Sequence, residues 1–493
     1  MTEDQSRIVE ALESGRVRGA PGPLRRIDTH MSHVFLGRDR VFKLKRAVRM
    51  PFVDFSTLEA RRAACETELE VNRRFASRLY LGVEPIIRDE AGGFRLGGPG
   101  APADWLVVMR PFAAGALFDE MARAGVLTTD LVGQAADKIA VAHAAAEVVR
   151  DAGRPDYYLA IARGLERTEA DGAAAHGLHP GPDEIYRRLE QAFERAGPLI
   201  EARRRQGKVR RGHGDLHLRN LCLFEGGATA FDALEFDPAL ATSDVLYDLA
   251  FLLMDLRRRG LEDHANVAMN RYCDASGEAE AALALLPPFM ALRATVRMAV
   301  AMEAGDSVEA GTYRALGLQL LAPQPPRLVA IGGLSGSGKS AVARRIAPRL
   351  PGVCGARLLR TDVIRKAAGA PLDADAYRPE RRAEVYCQLA ARAADALGAG
   401  CSALADATFQ DQDARALFGA AAFTGVWLRA APEVRLARVR ARTGDASDAD
   451  AAVAAAQREP ELSGWTVVDA EGPLEAVVRE ACAALGLTSE PGV

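Results

Sequence analysis

Residues 333–340 read G-L-S-G-S-G-K-S, and no other stretch narrows the possible folds so far. The run satisfies G-x-x-x-x-G-K-[ST] at every required position. An apolar segment, Arg327-Leu328-Val329-Ala330-Ile331-Gly332, precedes it, and Ala341-Val342-Ala343-Arg344-Arg345-Ile346 reads as helix after it. Strand, glycine loop and helix in that order let the backbone curl so that successive N–H groups point inward at phosphate oxygens. The helix N-terminus adds positive potential at the same place. Gly333, Leu334, Ser335, Gly336, Ser337, Gly338, Lys339, Ser340 and Ala341 are therefore the nucleotide-contacting set. Lys339 is placed for the β- and γ-phosphates, and Ser340 for Mg²⁺.

A chain of 493 residues exceeds what one core supports, so more than one domain is expected. Ala322-Pro323-Gln324-Pro325-Pro326 resists both helix and sheet, which sets a boundary just ahead of the glycine loop. The reading is one domain over 1–322, with a small lobe to about 115 and a helical large lobe from about 116. A linker follows at 323–326, then a second domain over 327–493. A net charge of −3 gives no reason to expect nucleic acid or an anionic membrane as a bulk partner. The seven cysteines show no metal-ligand spacing and read as reduced, mostly buried thiols of a cytoplasmic protein. The acidic N-terminus is not a signal peptide, and the apolar run 281–302 reads as a buried helix pair, not a membrane span.

In the small lobe, Val34-Phe35-Leu36 and Arg40-Val41-Phe42-Lys43-Leu44 read as a hairpin, with Lys43 and Lys45 alternating with apolar residues. Ser56-Thr57-Leu58-Glu59 reads as a capping box opening a helix to about Leu79. Leu58, Cys65, Leu69 and Asn72 share one face, with Glu68 at its edge. Glu68 is then either the ion-pair partner of the strand lysine or ordinary helix-surface charge. In the large lobe, two apolar runs flank Glu225-Gly226-Gly227 as a hairpin that sets Asn220 beside Asp232. An amide and a carboxylate so placed can hold Mg²⁺. Asp215 precedes Asn220 at the interval D-x-x-x-x-N. The basic residues 203–211 read as a solvated helix end.

His213-Gly214-Asp215 through Asn220, with Asp232 downstream, resembles the aminoglycoside phosphotransferase (choline kinase-like) branch of the protein-kinase fold. That resemblance implies a bilobal kinase-like N-terminal domain. It makes Lys43 the lysine on the α/β-phosphates, Glu68 its partner, Asp215 the base, Asn220 and Asp232 the Mg²⁺ ligands, and Asp248 the brace of the loop. The sequence departs from the pattern in two places. Thr29-His30-Met31-Ser32-His33 stands where a glycine-rich loop would precede Lys43, and Asp232 is followed by Ala-Leu-Glu.

Beyond the glycine loop, Arg357-Leu358-Leu359-Arg360 reads as a strand ending at Asp362. A carboxylate at the C-terminal end of such a strand lies where open α/β sheets bind ligands. Asp362 can take an acceptor's hydroxyl proton or cap the next helix, and Arg365 can bind the acceptor. Asp406 closes a further strand as a second carboxylate toward Mg²⁺. A helix from Pro432 carries Arg438 and Arg442, spaced i, i+4, as a lid over the transferring phosphate. These features resemble the small P-loop kinases: gluconate kinase, zeta toxin and the kinase half of polynucleotide kinases. Their fold is a parallel sheet flanked by helices, making the chain α/β and α+β in two domains. The resemblance adds Thr408, in Asp406-Ala407-Thr408, to the acceptor site. The expected activity is ATP- and Mg²⁺-dependent transfer of the γ-phosphoryl group to a hydroxyl of a small molecule, with two nucleotide sites. Three alternatives stay open: an aminoglycoside or sugar kinase working only through the N-terminal domain, a non-catalytic ATP sensor, and a 5′-hydroxyl nucleic-acid kinase. The sequence assigns no acceptor and no oligomeric state.

Overall fold

The computed structural model describes residues 4–50, 53–89, 92–367, 379–418, 423–441 and 457–487. The chain clusters into two compact units, 1–158 with 200–255, and 159–199 with 256–493.

The first unit is built on a seven-stranded sheet. Its strands are β1 (Val17–Arg18), β2 (Arg25–Asp28), β3 (Ser32–Leu36), β4 (Val41–Lys45), β5 (Tyr80–Arg88), β6 (Phe94–Leu96) and β7 (Pro102–Met109), in the order β1-β6-β5-β7-β4-β3-β2. β1 pairs with β6 in parallel, and the other pairs are antiparallel. In the β3–β4 hairpin Val34 stands opposite Lys43. Phe35, Phe42, Leu44, Leu106 and Val108 pack one face against α1 (Ser6–Glu13), whose Ile8, Val9 and Leu12 are buried. The other face meets α2 (Leu58–Ala76) through Cys65 and Ala76.

The start of α2 differs from the capping box read from the sequence. Thr57 is the cap, accepting a bond from the Ala60 N–H, while the Ser56 hydroxyl donates to Asp54. The carboxylate just upstream competes for Ser56 and moves the cap by one residue. Farther on, α3 (Thr129–Ala145) flanks a hairpin of β8 (Leu221–Phe224) and β9 (Gly227–Ala230). Glu225 and Gly226 turn it with φ of 50° and 77°, the left-handed pair a two-residue hairpin turn requires. Next comes α4 (Val245–Arg258). Arg203 corrects the reading of a solvated basic run. It is buried and bidentate to Asp244, at 2.7 and 2.8 Å, because the strand Thr242–Asp244 brings a carboxylate under it.

The second unit holds α5 (Glu262–Ser276) and a parallel five-stranded sheet. The apolar stretch Glu280–Glu303 is long and apolar enough to cross a membrane, yet 72% of its apolar window is buried inside the protein. The sheet alternates strands and helices: β10 (Leu328–Gly332), α6 (Lys339–Ile346), β11 (Arg357–Arg360), α7 (Thr361–Ala367), α8 (Pro379–Gly398), β12 (Ala403–Asp406), β13 (Phe423–Arg429), α9 (Pro432–Arg440), β14 (Trp465–Asp469) and α10 (Leu474–Ala484). Strand order is β11-β12-β10-β13-β14, every pair parallel. Both faces are covered, which explains why β10 is buried at every residue. Val329 and Ile331 pack against α6 and α10, and Leu328 and Ala330 against α8. β10, β11 and β12 run the same way, so their C-terminal ends deliver residues 333–340, Asp362 and Asp406 to one edge.

Candidate active sites

In the first unit, the two-residue period of β4 puts Lys43 and Lys45 on one face. Glu68 of α2, fully buried, stands between them. Lys43 Nζ donates to Glu68 Oε1 at 2.9 Å and to Asp232 Oδ1 at 2.5 Å. Lys45 Nζ is 2.5 Å from Glu68 Oε2 and also bonds Glu235. Burial opposes charge on both lysines. The carboxylates of Asp232, Glu68 and Glu235 outweigh it at Lys43, and those of Glu68 and Glu235 at Lys45, so both ammoniums are held protonated. Burial likewise opposes charge on Glu68, and the two lysines outweigh that and keep its carboxyl well below the usual range. Asp232 takes a φ of 59°, with its N–H bonded to the Tyr80 hydroxyl at 3.1 Å. A non-glycine residue in that region costs of order 1 kcal/mol and marks a place where surrounding contacts dictate the backbone.

The loop before β8 is braced from α4. Asp248 accepts from the His213 N–H at 2.7 Å and the Gly214 N–H at 2.8 Å, and its Oδ2 is 3.0 Å from His143 Nε2. Asn220 Nδ2 donates to Asp215 at both its carbonyl and Oδ2, each at 2.9 Å. His217 Nε2 lies 3.3 Å from the same Oδ2. The His213 ring is buried against Phe75 and bonds the Phe231 carbonyl, and burial lowers its pKa. The Phe231 N–H donates to the Asn220 carbonyl at 3.0 Å, so the open end of the hairpin holds Asn220 next to the Phe231-Asp232 step. Hard oxygen donors at this end fit a magnesium ion.

In the second unit, the glycine loop is packed closely against the backbone of β13 and α9. Gly336 has φ 85°, and a Cβ there would sit 2.3 Å from the Arg435 carbonyl of α9. A Cβ on Gly333 would meet Ser337 Oγ at 2.6 Å and the Leu428 carbonyl at 2.7 Å. Only glycine fits either position. The Ser335 N–H donates to Gln457, and Lys339 Nζ donates to the Leu334 carbonyl at 3.1 Å. Ser337 Oγ is buried with no hydrogen-bond partner among the described residues. An orphaned hydroxyl in a glycine loop at the start of α6 suits an oxygen-rich ligand. Ser340 Oγ donates to Asp406 Oδ2 at 2.6 Å, and these two oxygens fit a magnesium ion.

Asp362 is the second residue of α7, not its cap, with Arg365 Nη1 3.3 Å from its Oδ1. Burial raises its pKa, the Asp406 charge raises it further, and Arg365, Arg360 and Lys339 pull it down. All five groups therefore share one electrostatic environment. Thr408 Oγ1 is 3.0 Å from the Tyr386 hydroxyl, which accepts from the Phe409 N–H at 2.8 Å. Arg438 Nη1 would lie 3.9 Å from a Cβ on Gly338, beside the cradle. Arg442 lies outside the described residues.

The sequence marks Lys45 only by its alternation with Lys43, and it assigns no role to Lys45, Glu235 or Arg360. The alternation in β4 is a usable signal for Lys45. For Arg360, the signal is a cation at a strand end two residues before Asp362. Glu235 has no local signal, since its partner is distant in sequence.

The phosphotransferase enzyme family matches residues 50–286, and the AAA domain family matches 328–460. Uncharacterized protein Rv2004c of Mycobacterium tuberculosis is 30% identical over 481 residues, covering 92% of this chain and 94% of its own length. Uncharacterized protein Mb2027c of Mycobacterium bovis matches to the same extent. The chain belongs to their family. It is a two-domain bacterial kinase, aminoglycoside phosphotransferase-like at the N-terminal end and P-loop kinase-like at the C-terminal end. Among solved structures, a gluconokinase from Sinorhizobium meliloti 1021 is 24% identical over 33% of this kinase and 93% of its own chain, with a TM-score of 0.24. Amicoumacin kinase hAmiN is 15% identical over 65% of this kinase and 93% of its own chain, with a TM-score of 0.41.

Proposed function

We propose that this ATP-dependent kinase transfers the γ-phosphoryl group to a hydroxyl of a small molecule at the P-loop site, and that it carries a second nucleotide site around Lys43. The observation that carries the reading is the meeting of Lys339, Ser340, Asp406 and a partly buried Asp362 at one edge of the parallel sheet. The backbone amides of residues 333–341 bind the polyphosphate. Lys339 and Arg438 neutralise charge on the transferring group, with Arg442 assigned to the same lid. Arg365 and Thr408 position the acceptor. Asp362, made more basic by burial and by Asp406, takes the proton as the acceptor oxygen bonds to phosphorus and the bond to the β-phosphate oxygen breaks. Ser340 and Asp406 in one unit, and Asn220 and Asp232 in the other, would hold Mg²⁺, which when bound neutralises phosphate charge. The same reading puts the domain boundary at 323–326 and the enzyme in the cytoplasm, with neither nucleic acid nor membrane as partner.

A second reading moves the chemistry to the Lys43 site, with Asp215 as base and Lys43, Glu68, Asn220 and Asp232 around the nucleotide. The Lys43–Glu68 and Lys43–Asp232 ion pairs favour it. One experiment separates the two. Purified enzyme, γ-labelled ATP and a metabolite extract are incubated with wild type, Lys339→Ala, Asp362→Asn and Asp215→Asn, and labelled products are identified by mass. The P-loop reading expects Lys339→Ala and Asp362→Asn each to lose at least about a hundredfold. Full activity in both, with loss in Asp215→Asn, transfers the chemistry to the N-terminal site.

A further inference from the structure

Arg360 ends β11 and is only 8% exposed. Its Nη2 donates to Ser340 Oγ at 3.0 Å and its Nε to Asp406 Oδ2 at 3.2 Å. These are the two oxygens, themselves 2.6 Å apart, that suit a divalent ion. A guanidinium is charged at any working pH and has only donors to offer. A metal ion and Arg360 therefore compete for the same lone pairs, and their like charges repel.

We propose that Arg360 is a built-in cation that closes the Ser340–Asp406 pair to free divalent metal and yields it only to metal arriving with a polyphosphate. The proposal rests on the P-loop site being a nucleotide site. Free Mg²⁺ sheds its water reluctantly, and here it would meet a carboxylate whose charge is already matched. A triphosphate changes that balance, because its negative charge accommodates both cations at once. Metal and nucleotide then enter as one unit, which limits idle binding of metal to the bare enzyme.

The test uses Mn²⁺ in place of Mg²⁺, counted by electron paramagnetic resonance on the full chain. Every protein carries Asp232→Asn to silence the other candidate metal position. Without nucleotide, the parent is expected to bind Mn²⁺ weakly. Arg360→Met should bind it at least about tenfold more tightly, the scale on which neighbours of a ligand shift metal affinity. Arg360→Lys keeps the charge and loses the fork, so it falls between them and serves if the Met variant does not fold. Parent-like Mn²⁺ affinity in both variants overturns the proposal. Binding of AMP-PNP, a non-hydrolysable ATP analogue, is measured alongside for the parent and Lys339→Ala. No difference there sinks the nucleotide reading itself, and the Arg360 proposal with it.

Discussion

The Lys45 ammonium sits 2.5 Å from Glu68 Oε2, both groups buried, on the strand face that also presents Lys43 to Glu68 Oε1. One carboxylate thus fixes two lysines on a single strand. A buried charge is tolerable only while its partners remain charged, so this cluster ties folding to protonation.

The sign follows from the depressed carboxyl of Glu68. Its stabilisation is fully present above the unfolded carboxylate value of about 4.3 and is lost as pH falls below it. Acid unfolding of the wild type should therefore steepen below about pH 4.3. Glu68→Gln should be less stable at pH 7 and show a shallower decline over that acid window. Thermal melts from pH 7 to pH 3 measure both. Equal slopes in the two proteins would mean that Glu68 carries no net linkage.

Gly336 is the next place where a single atom decides the outcome. Adding a methyl puts it against the Arg435 carbonyl and forces an L residue to hold φ 85°. Gly336→Ala should weaken ATP binding at the P-loop at least about tenfold, roughly 1.4 kcal/mol. Isothermal titration in an Asp232→Asn background measures it. An unchanged affinity means that α9 yields and the cradle is not rigid.

Arg357, at the start of β11, is fully buried yet bonded to α5 and the turn after it. It donates to Asp274 at 2.5 Å and Glu280 at 3.2 Å, and to the Asn270 side chain at 2.9 Å. Asn266 and Asn270 also donate to the Cys354 and Ala356 carbonyls. Removing one partner from such a cluster costs roughly 3 kcal/mol. Arg357→Ala should raise hydrogen exchange in α5 and β11 while α1 and β4 stay as in the wild type. Unchanged exchange in α5 would show that the cluster adds nothing there.

What the sequence disclosed and what it hid follow one rule. Residues 333–340 and 213–220 were readable because their chemistry is local: glycines at a turn, a carboxylate and an amide five residues apart. The strands ending at Arg360 and Asp406 were readable because each is a short run with an apolar interior that ends in a charged residue. Arg203, Arg357, Glu235 and Arg360 were not, since each is defined by a partner far away in the chain. A charged side chain carries no mark of whether it faces water or a buried carboxylate. The cap lies one residue past Ser56 for a related reason, because Asp54 offers a competing acceptor to Ser56.

The Arg357 cluster also bears on how such a gene can be recombined. The Pro-rich spacer invites a cut there, and the family matches on either side invite treating each half as an exchangeable cassette. A chimaera joined at Pro326 would inherit the P-loop half with a guanidinium shaped for another parent's helix. Grafts that carry Glu262–Ser276 along with the P-loop half keep the charge matched, so viable crossovers belong upstream of that helix.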